Sequence, residues 1–548
     1  MTACAAQQQP AYDLIIRDGM LYDGSGGPPV RGDIAVNADR IVALGRDLGS
    51  ARRVVDATDL AVAPGFINML SWANESLLVD GLSQSDIRQG VTLEVMGEGW
   101  SMGPLNETMR EALSSDQDAL RFEIPWTTLG EYLNHLQIRG VSTNVASFVG
   151  AATVRIHEVG FADRRPTADE LDRMRAHVRL AMEEGALGVG ASLIYAPAFY
   201  ADTAELIALC EVAAEYGGRY IAHLRSEGNN FLDAVNEHIT IARDANIGAE
   251  IYHLKAAGAA NYGKLDDAIA RIEAARAEGM DVTANMYTYT AGATGLDASM
   301  PPWVQEGGYD AWAKRLKDPD TRARLRVEMT TPTDAWENLY LAAGDPSRVI
   351  LVAFKSDALR PLTGKTLAQV SALRGTPPAD TMMDLVIENG SDVGTVYFIM
   401  SEENVGKKLA LPWMAFGSDG KSLAPEGNFL LENPHPCAYG NFARLLGKYV
   451  RDENALSLAE AIRRLTRFPA DNLKLHNRGR LEAGYFADMV VFDPNTIQDH
   501  ATFAEPHQYA TGVQHVFVNG VAVLENGEHT GATPGRVVRG PGYKPAGN

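Results

Sequence analysis

Between Thr167 and Tyr287 the chain alternates two hydrophobic rhythms. Behind Thr167, which forms a capping box with Glu170, Leu171, Met174, Val178 and Ala181 recur at helical spacing until Gly185 stops the helix. A strand, Ala186 to Leu193, follows. The unit then repeats as helix Thr203–Tyr216 with strand Arg219–His223, helix Asn229–Asp244 with strand Ala249–His253, and helix Leu265–Glu278 with strand Asp281–Tyr287. Repeats of this kind, about 30 residues long, predict parallel strands joined by crossover helices. Further strands fit at Val62–Leu70, Val91–Met96, Asn144–Val149 and Trp413–Asp419. Eight parallel strands in an α/β chain predict a closed (β/α)8 TIM barrel over residues 63–476. The interval from Tyr287 to Trp413 exceeds any crossover, so an inserted lid is expected over about 288–412.

Both chain ends read differently. Short strands and turns run from Tyr12 to Val62, with strands at Tyr12–Arg17, Met20–Tyr22, Asp33–Val36 and Arg40–Leu44. Near the other end, Ala487–Phe492, His515–Val518 and Val521–Leu524 are punctuated by Asn519-Gly520 and Asn526-Gly527, which are hairpin turns. Neither segment can bury both faces of a sheet, so residues 12–62 and 477–548 are expected to combine into one small β-sandwich.

Composition narrows the function classes. At 548 residues, 46% of them hydrophobic and 22% charged, with no unbroken apolar run of about 18 residues, the chain reads as globular and without a transmembrane segment. The formal charge of −21 and the lack of a Lys/Arg stripe argue against nucleic acid as a partner. Three cysteines are too few for a disulfide framework. Thr2-Ala3-Cys4 resembles the end of a lipoprotein processing site without its apolar leader. Residues 1–11 are therefore either a disordered terminus, with the protein cytoplasmic, or a signal remnant that would make it periplasmic or lipid-anchored through Cys4. The sequence leaves oligomeric state open.

In barrels of this type the active site lies at the carboxyl ends of the strands. Reading the strand ends yields His223, His253, Glu98 and Asp419. A lone strand-end histidine is usually structural, but two on consecutive strands with carboxylates beside them point to a metal. Zinc and similar ions take imidazole nitrogen and carboxylate oxygen, and catalytic sites keep a position open for water. Glu98, His223 and His253 supply three ligands, which leaves Asp419 free for proton transfer.

Longer strings sharpen this. Ala63-Pro64-Gly65-Phe66-Ile67-Asn68, Ala222-His223-Leu224-Arg225-Ser226-Glu227-Gly228, Tyr252-His253-Leu254-Lys255-Ala256-Ala257-Gly258, Met400-Ser401-Glu402-Glu403, Gly417-Ser418-Asp419-Gly420, Asn433-Pro434-His435-Pro436 and Pro506-His507-Gln508-Tyr509 occur together. With them the chain resembles the D-aminoacylase (N-acyl-D-amino-acid deacylase) branch of the amidohydrolase superfamily, over nearly everything from Tyr12 to Gly542. The resemblance implies a barrel beside a β-sandwich and metal-dependent hydrolysis of a small-molecule amide.

Two departures matter. Where that family has Asp-x-His-x-His, this chain has Asn68-Met69-Leu70-Ser71-Trp72, and Leu70 and Trp72 cannot hold a metal. Where the family usually has a ligand cysteine, this chain has Glu98. The set looks like the single-metal arrangement of N-acetylglucosamine-6-phosphate deacetylase, so one divalent ion, zinc, is expected. The resemblance further suggests that Lys255 receives a substrate carboxylate and that Tyr287, Tyr289 and Thr294 contact substrate, although packing at a strand end accounts for the last three equally well. His435 either lines the mouth or caps a loop. Hydrolysis or deamination of a cyclic amide, and a non-catalytic binding protein on the same scaffold, remain open as rivals.

Overall fold

The computed structural model describes residues 11–115 and 120–545, so the lipoprotein reading at Cys4 lies outside the described residues. The fold is α/β. Parallel strands run Phe66–Asn68, Val91–Met96, Asn144–Ser147 with its continuation Val149–Gly150, Gly188–Ser192, Arg219–His223, Gly248–Ile251, Val282–Met286 and Met414–Phe416, each paired with its neighbour in that order. Phe148 N bonds to Met96 O at 2.9 Å, and Met69 N returns to Phe416 O at 3.1 Å, so hydrogen bonding runs from the last strand back to the first. Nearly every residue of these strands is buried, the pattern of strands covered on both faces. The helices Ala168–Glu183, Thr203–Glu215, Phe231–Asp244 and Lys264–Ala277 pack successively around them. The capping box is present, with Glu170 N on Thr167 Oγ1 at 3.3 Å and Thr167 N on Glu170 Oε2 at 2.7 Å.

One expected strand divides. Val62–Leu70 is split at Gly65 into Ala61–Pro64, which joins the terminal sheet, and Phe66–Asn68, which begins the parallel array. A Cβ at Gly65 would stand 2.1 Å from Thr92 Oγ1, so only glycine lets the chain pass from one layer to the other there. The terminal sheet has nine strands drawn from both ends of the chain. Ala61–Pro64 pairs in parallel with Tyr12–Leu21 on one side and antiparallel with Met489–Phe492 on the other. Asn519 and Gly520 both have left-handed φ (50° and 80°), which makes the hairpin between Val513–Val518 and Val521–Glu525.

The long interval builds its own unit, with antiparallel strands Gly292–Gly295, Gly394–Tyr397 and Val349–Ala353 in that order. Trp312, Leu316, Leu325, Leu367 and Met382 form its core together with Tyr287 and Tyr289, which anchors the insertion at the end of the strand Val282–Met286. No helix among the described residues is long and apolar enough to cross a membrane.

Candidate metal centre

Each site residue is delivered by the end of a parallel strand. Glu98 follows Val91–Met96, His223 ends Arg219–His223, His253 follows Gly248–Ile251 and Asp419 follows Met414–Phe416. The turn before Glu98 needs Gly97, whose φ is 103° and whose Cβ would meet Phe148 O at 2.3 Å. His253 and Asp419 have φ of 34° and 53°, a left-handed backbone that non-glycine residues rarely adopt. Hydrogen bonds hold them there, from His253 N to Asn285 Oδ1 at 2.8 Å and from Asp419 N to Leu70 O at 2.9 Å.

The side chains converge. His253 Nε2 lies 2.9 Å and His223 Nδ1 3.3 Å from the same oxygen of Glu98, Oε1. One ligand atom from each of the three lies within 4.8 Å of the others, and all three residues are at most 5% exposed. Two imidazole nitrogens and a carboxylate oxygen at one point, inside a buried wall, fit a divalent ion of the zinc type with a coordination position left over. Burial pushes the Glu98 carboxyl up, but His253 and His223 more than offset it and bring its pKa to about 2. Burial and Lys255 pull His253 down while Glu98 and Glu227 raise it, with a net value of about 9. Asp419 is raised to about 6, first by burial and then by the charge of Glu98, against His253, Lys255 and a hydrogen bond from Trp72.

Two residues that do not end a strand complete the centre. Trp72, noticed above only as a lost ligand, donates its indole N–H to Glu98 Oε2 at 3.0 Å and to Asp419 Oδ1 at 3.1 Å. Glu227 lies behind both histidines, 3.2 Å from His253 Nδ1 and 3.4 Å from His223 Nε2. A carboxylate in that place orients imidazole ligands and raises their basicity. Burial opposes its charge, yet His223, Lys255 and His253 hold its pKa well below the usual carboxylate range. Its spacing, four residues after His223, was the signal available in the sequence.

The secondary candidates separate. The Lys255 ammonium is engaged inside the protein, 2.8 Å from both oxygens of Glu227 and 2.7 Å from His253 Nδ1. This geometry makes it the counterion of Glu227, where the resemblance had suggested a hold on a substrate carboxylate. Lys255→Met would leave Glu227 buried without its ammonium partner and with only the two imidazoles beside it, so the folded state should lose up to about 3–5 kcal/mol, read by urea unfolding. Tyr287 is buried with its ring centroid 6.2 Å from that of His253, and its hydroxyl has no hydrogen-bond partner. Tyr289 has the Arg444 guanidinium 4.8 Å over its ring and its hydroxyl toward Pro436 O at 3.4 Å. Thr294 reaches Tyr195, whose ring stands edge-on to His223 with centroids 5.4 Å apart. His435 binds backbone through both nitrogens, Ala291 O at 3.0 Å and Cys437 N at 3.0 Å, and caps its loop. A second His/Glu group, His157, Glu158 and His177, lies half-buried on two helices, where Arg173 already pairs with Glu158.

Residues 53–524 match the amidohydrolase family, and the chain belongs to it. Within that family it is similar to D-aminoacylase from Alcaligenes xylosoxydans xylosoxydans, with 34% identity over 539 residues that cover 97% of this chain and 98% of that one. The crystal structure of D-aminoacylase superposes with a TM-score of 0.80 at 32% identity, covering 96% of this chain and all of that one. N-acyl-D-glutamate deacylase from Bordetella bronchiseptica, complexed with zinc and a phosphonate mimic of the tetrahedral intermediate, superposes with a TM-score of 0.79 at 28% identity over 96% and 99% of the two chains. The protein is thus a metal-dependent hydrolase of carbon–nitrogen bonds other than peptide bonds, related to the N-acyl-D-amino-acid deacylases.

Proposed function

We propose that the chain hydrolyses the amide bond of N-acyl-D-amino acids, with Glu98, His223 and His253 holding one zinc ion and Asp419 moving the proton. The observation that carries this reading is the convergence of His253 Nε2 and His223 Nδ1 on Glu98 Oε1, with Asp419 tied to the other oxygen of Glu98 through Trp72. The parallel strands then form a (β/α)8 barrel over residues 63–476, the nine-stranded sheet a β-sandwich of residues 12–62 and 477–548, and residues 288–412 the lid that shapes the pocket.

When bound, the ion supplies Lewis acidity, which lowers the pKa of a water and polarises the amide carbonyl. Asp419 accepts the proton of the attacking water and delivers it to the departing nitrogen, because an amine does not leave as its anion. Glu227 and Lys255 hold the rear nitrogens of the imidazoles. Tyr287, whose hydroxyl is unpartnered, is placed to donate a hydrogen bond to the substrate. The products are a carboxylic acid and a D-amino acid.

Purified protein assayed against N-acyl-D- and N-acyl-L-amino acids and dipeptides tests the reading. Turnover of the D series with little of the L series is expected. Fully metallated protein that hydrolyses none of them would overturn it and turn attention to cyclic amides. Elemental analysis after dialysis should find one tightly held ion per chain; two would sink the single-metal assignment, and none would favour a binding protein.

A further inference from the structure

The proposed reaction leaves the place of Trp72 unexplained. Its Nε1 lies 3.0 Å from Glu98 Oε2 and 3.1 Å from Asp419 Oδ1, so one N–H is shared between two carboxylates. A point about 3 Å from two carboxylate oxygens is where a cation would ordinarily sit, and here the positive end of an indole dipole occupies it. The backbone builds this contact. Trp72 N donates to Gly420 O at 3.0 Å and Asp419 N to Leu70 O at 2.9 Å, which locks the two segments side by side. The same bond divides Glu98, leaving Oε1 for the histidines and directing Oε2 to the indole.

We infer that Trp72 is a positioning residue that takes the place of a second cation. Its N–H confines Glu98 to one oxygen toward the metal, sets the carboxylate of Asp419 toward the same centre, and keeps the site mononuclear. The inference rests on the single-metal reading above and deepens it. A tryptophan that serves only as packing would do none of this, since packing uses the ring and not its N–H donor.

Two variants separate these roles. Trp72→Phe keeps an aromatic wall and removes the donor; its kcat should fall roughly 10- to 100-fold, the weight of a hydrogen bond to a charged group, with KM near the parental value and one zinc retained. Trp72→His presents an imidazole nitrogen to Glu98 Oε2 and Asp419 Oδ1, and should bind a second equivalent of zinc in equilibrium dialysis at concentrations where the parent holds one. Parental kcat in Trp72→Phe, or a single equivalent in folded Trp72→His, would overturn the inference. The dialysis needs no substrate, so an inactive parent would defeat the proposed reaction while the zinc count still decides the role of Trp72.

Discussion

Asp419→Asn should cut turnover by about 10²- to 10⁴-fold while the protein stays folded and keeps its metal. General acid–base transfer by a positioned group contributes on that order, and Asp419 is the carboxylate that follows the last parallel strand. The variant is well suited to the position. Asparagine tolerates the left-handed φ of 53° that residue 419 adopts better than almost any other side chain, and its amide oxygen can still accept the bond from Trp72 Nε1. A collapse of kcat therefore reports the missing proton acceptor and not a disturbed loop. Near-parental activity on a substrate that the parent hydrolyses would remove Asp419 from the mechanism.

Glu98→Gln should fail differently, by releasing the metal. In the proposed centre of Glu98, His223 and His253 the carboxylate brings the ligand charge, and even partners one step removed from a metal typically change affinity by about 10- to 100-fold, so a loss of at least about 100-fold is expected in chelator competition. Because the ion binds the folded chain, its loss should lower the unfolding temperature measured with zinc present, and excess zinc should recover part of both stability and activity. The pair of variants separates ligand from proton carrier: added zinc rescues Glu98→Gln in part and Asp419→Asn not at all. Rescue of both, or of neither, would mean that the two carboxylates have been assigned the wrong work.

The parallel strands were legible because each is a short apolar run closed by a polar residue, and strand ends are where such folds place their chemistry. Arg219–His223 was read with the bounds it has, and His253 and Asp419 were found by the same rule although their strands stop a few residues short of them. The passage from one layer to the other at Gly65 was not legible, because Pro64-Gly65 marks only a break in the run and the obstacle, Thr92, comes from another strand. Nor were the strands of the insertion, whose pairing joins residues about a hundred positions apart. At the site, the sequence shows Trp72 only as a lost ligand and Lys255 as a hold for a substrate carboxylate. The first is a donor and the second a counterion only because Glu98 and Glu227 are folded against them, and contacts across loops leave no period in a sequence.

The left-handed backbone at His253 and Asp419 sets stability against chemistry at two single positions. A side chain held there costs up to about 1–2 kcal/mol, less for aspartate than for most, and the residues that adopt it most readily, glycine and asparagine, can neither ligate through an imidazole nor carry the proton. Along a lineage no longer selected for turnover these two sites would be among the first to drift, since substitution there removes strain and activity together. Positions 253 and 419 therefore act as a gauge: descendants of this chain with glycine or asparagine at both should be hydrolytically silent.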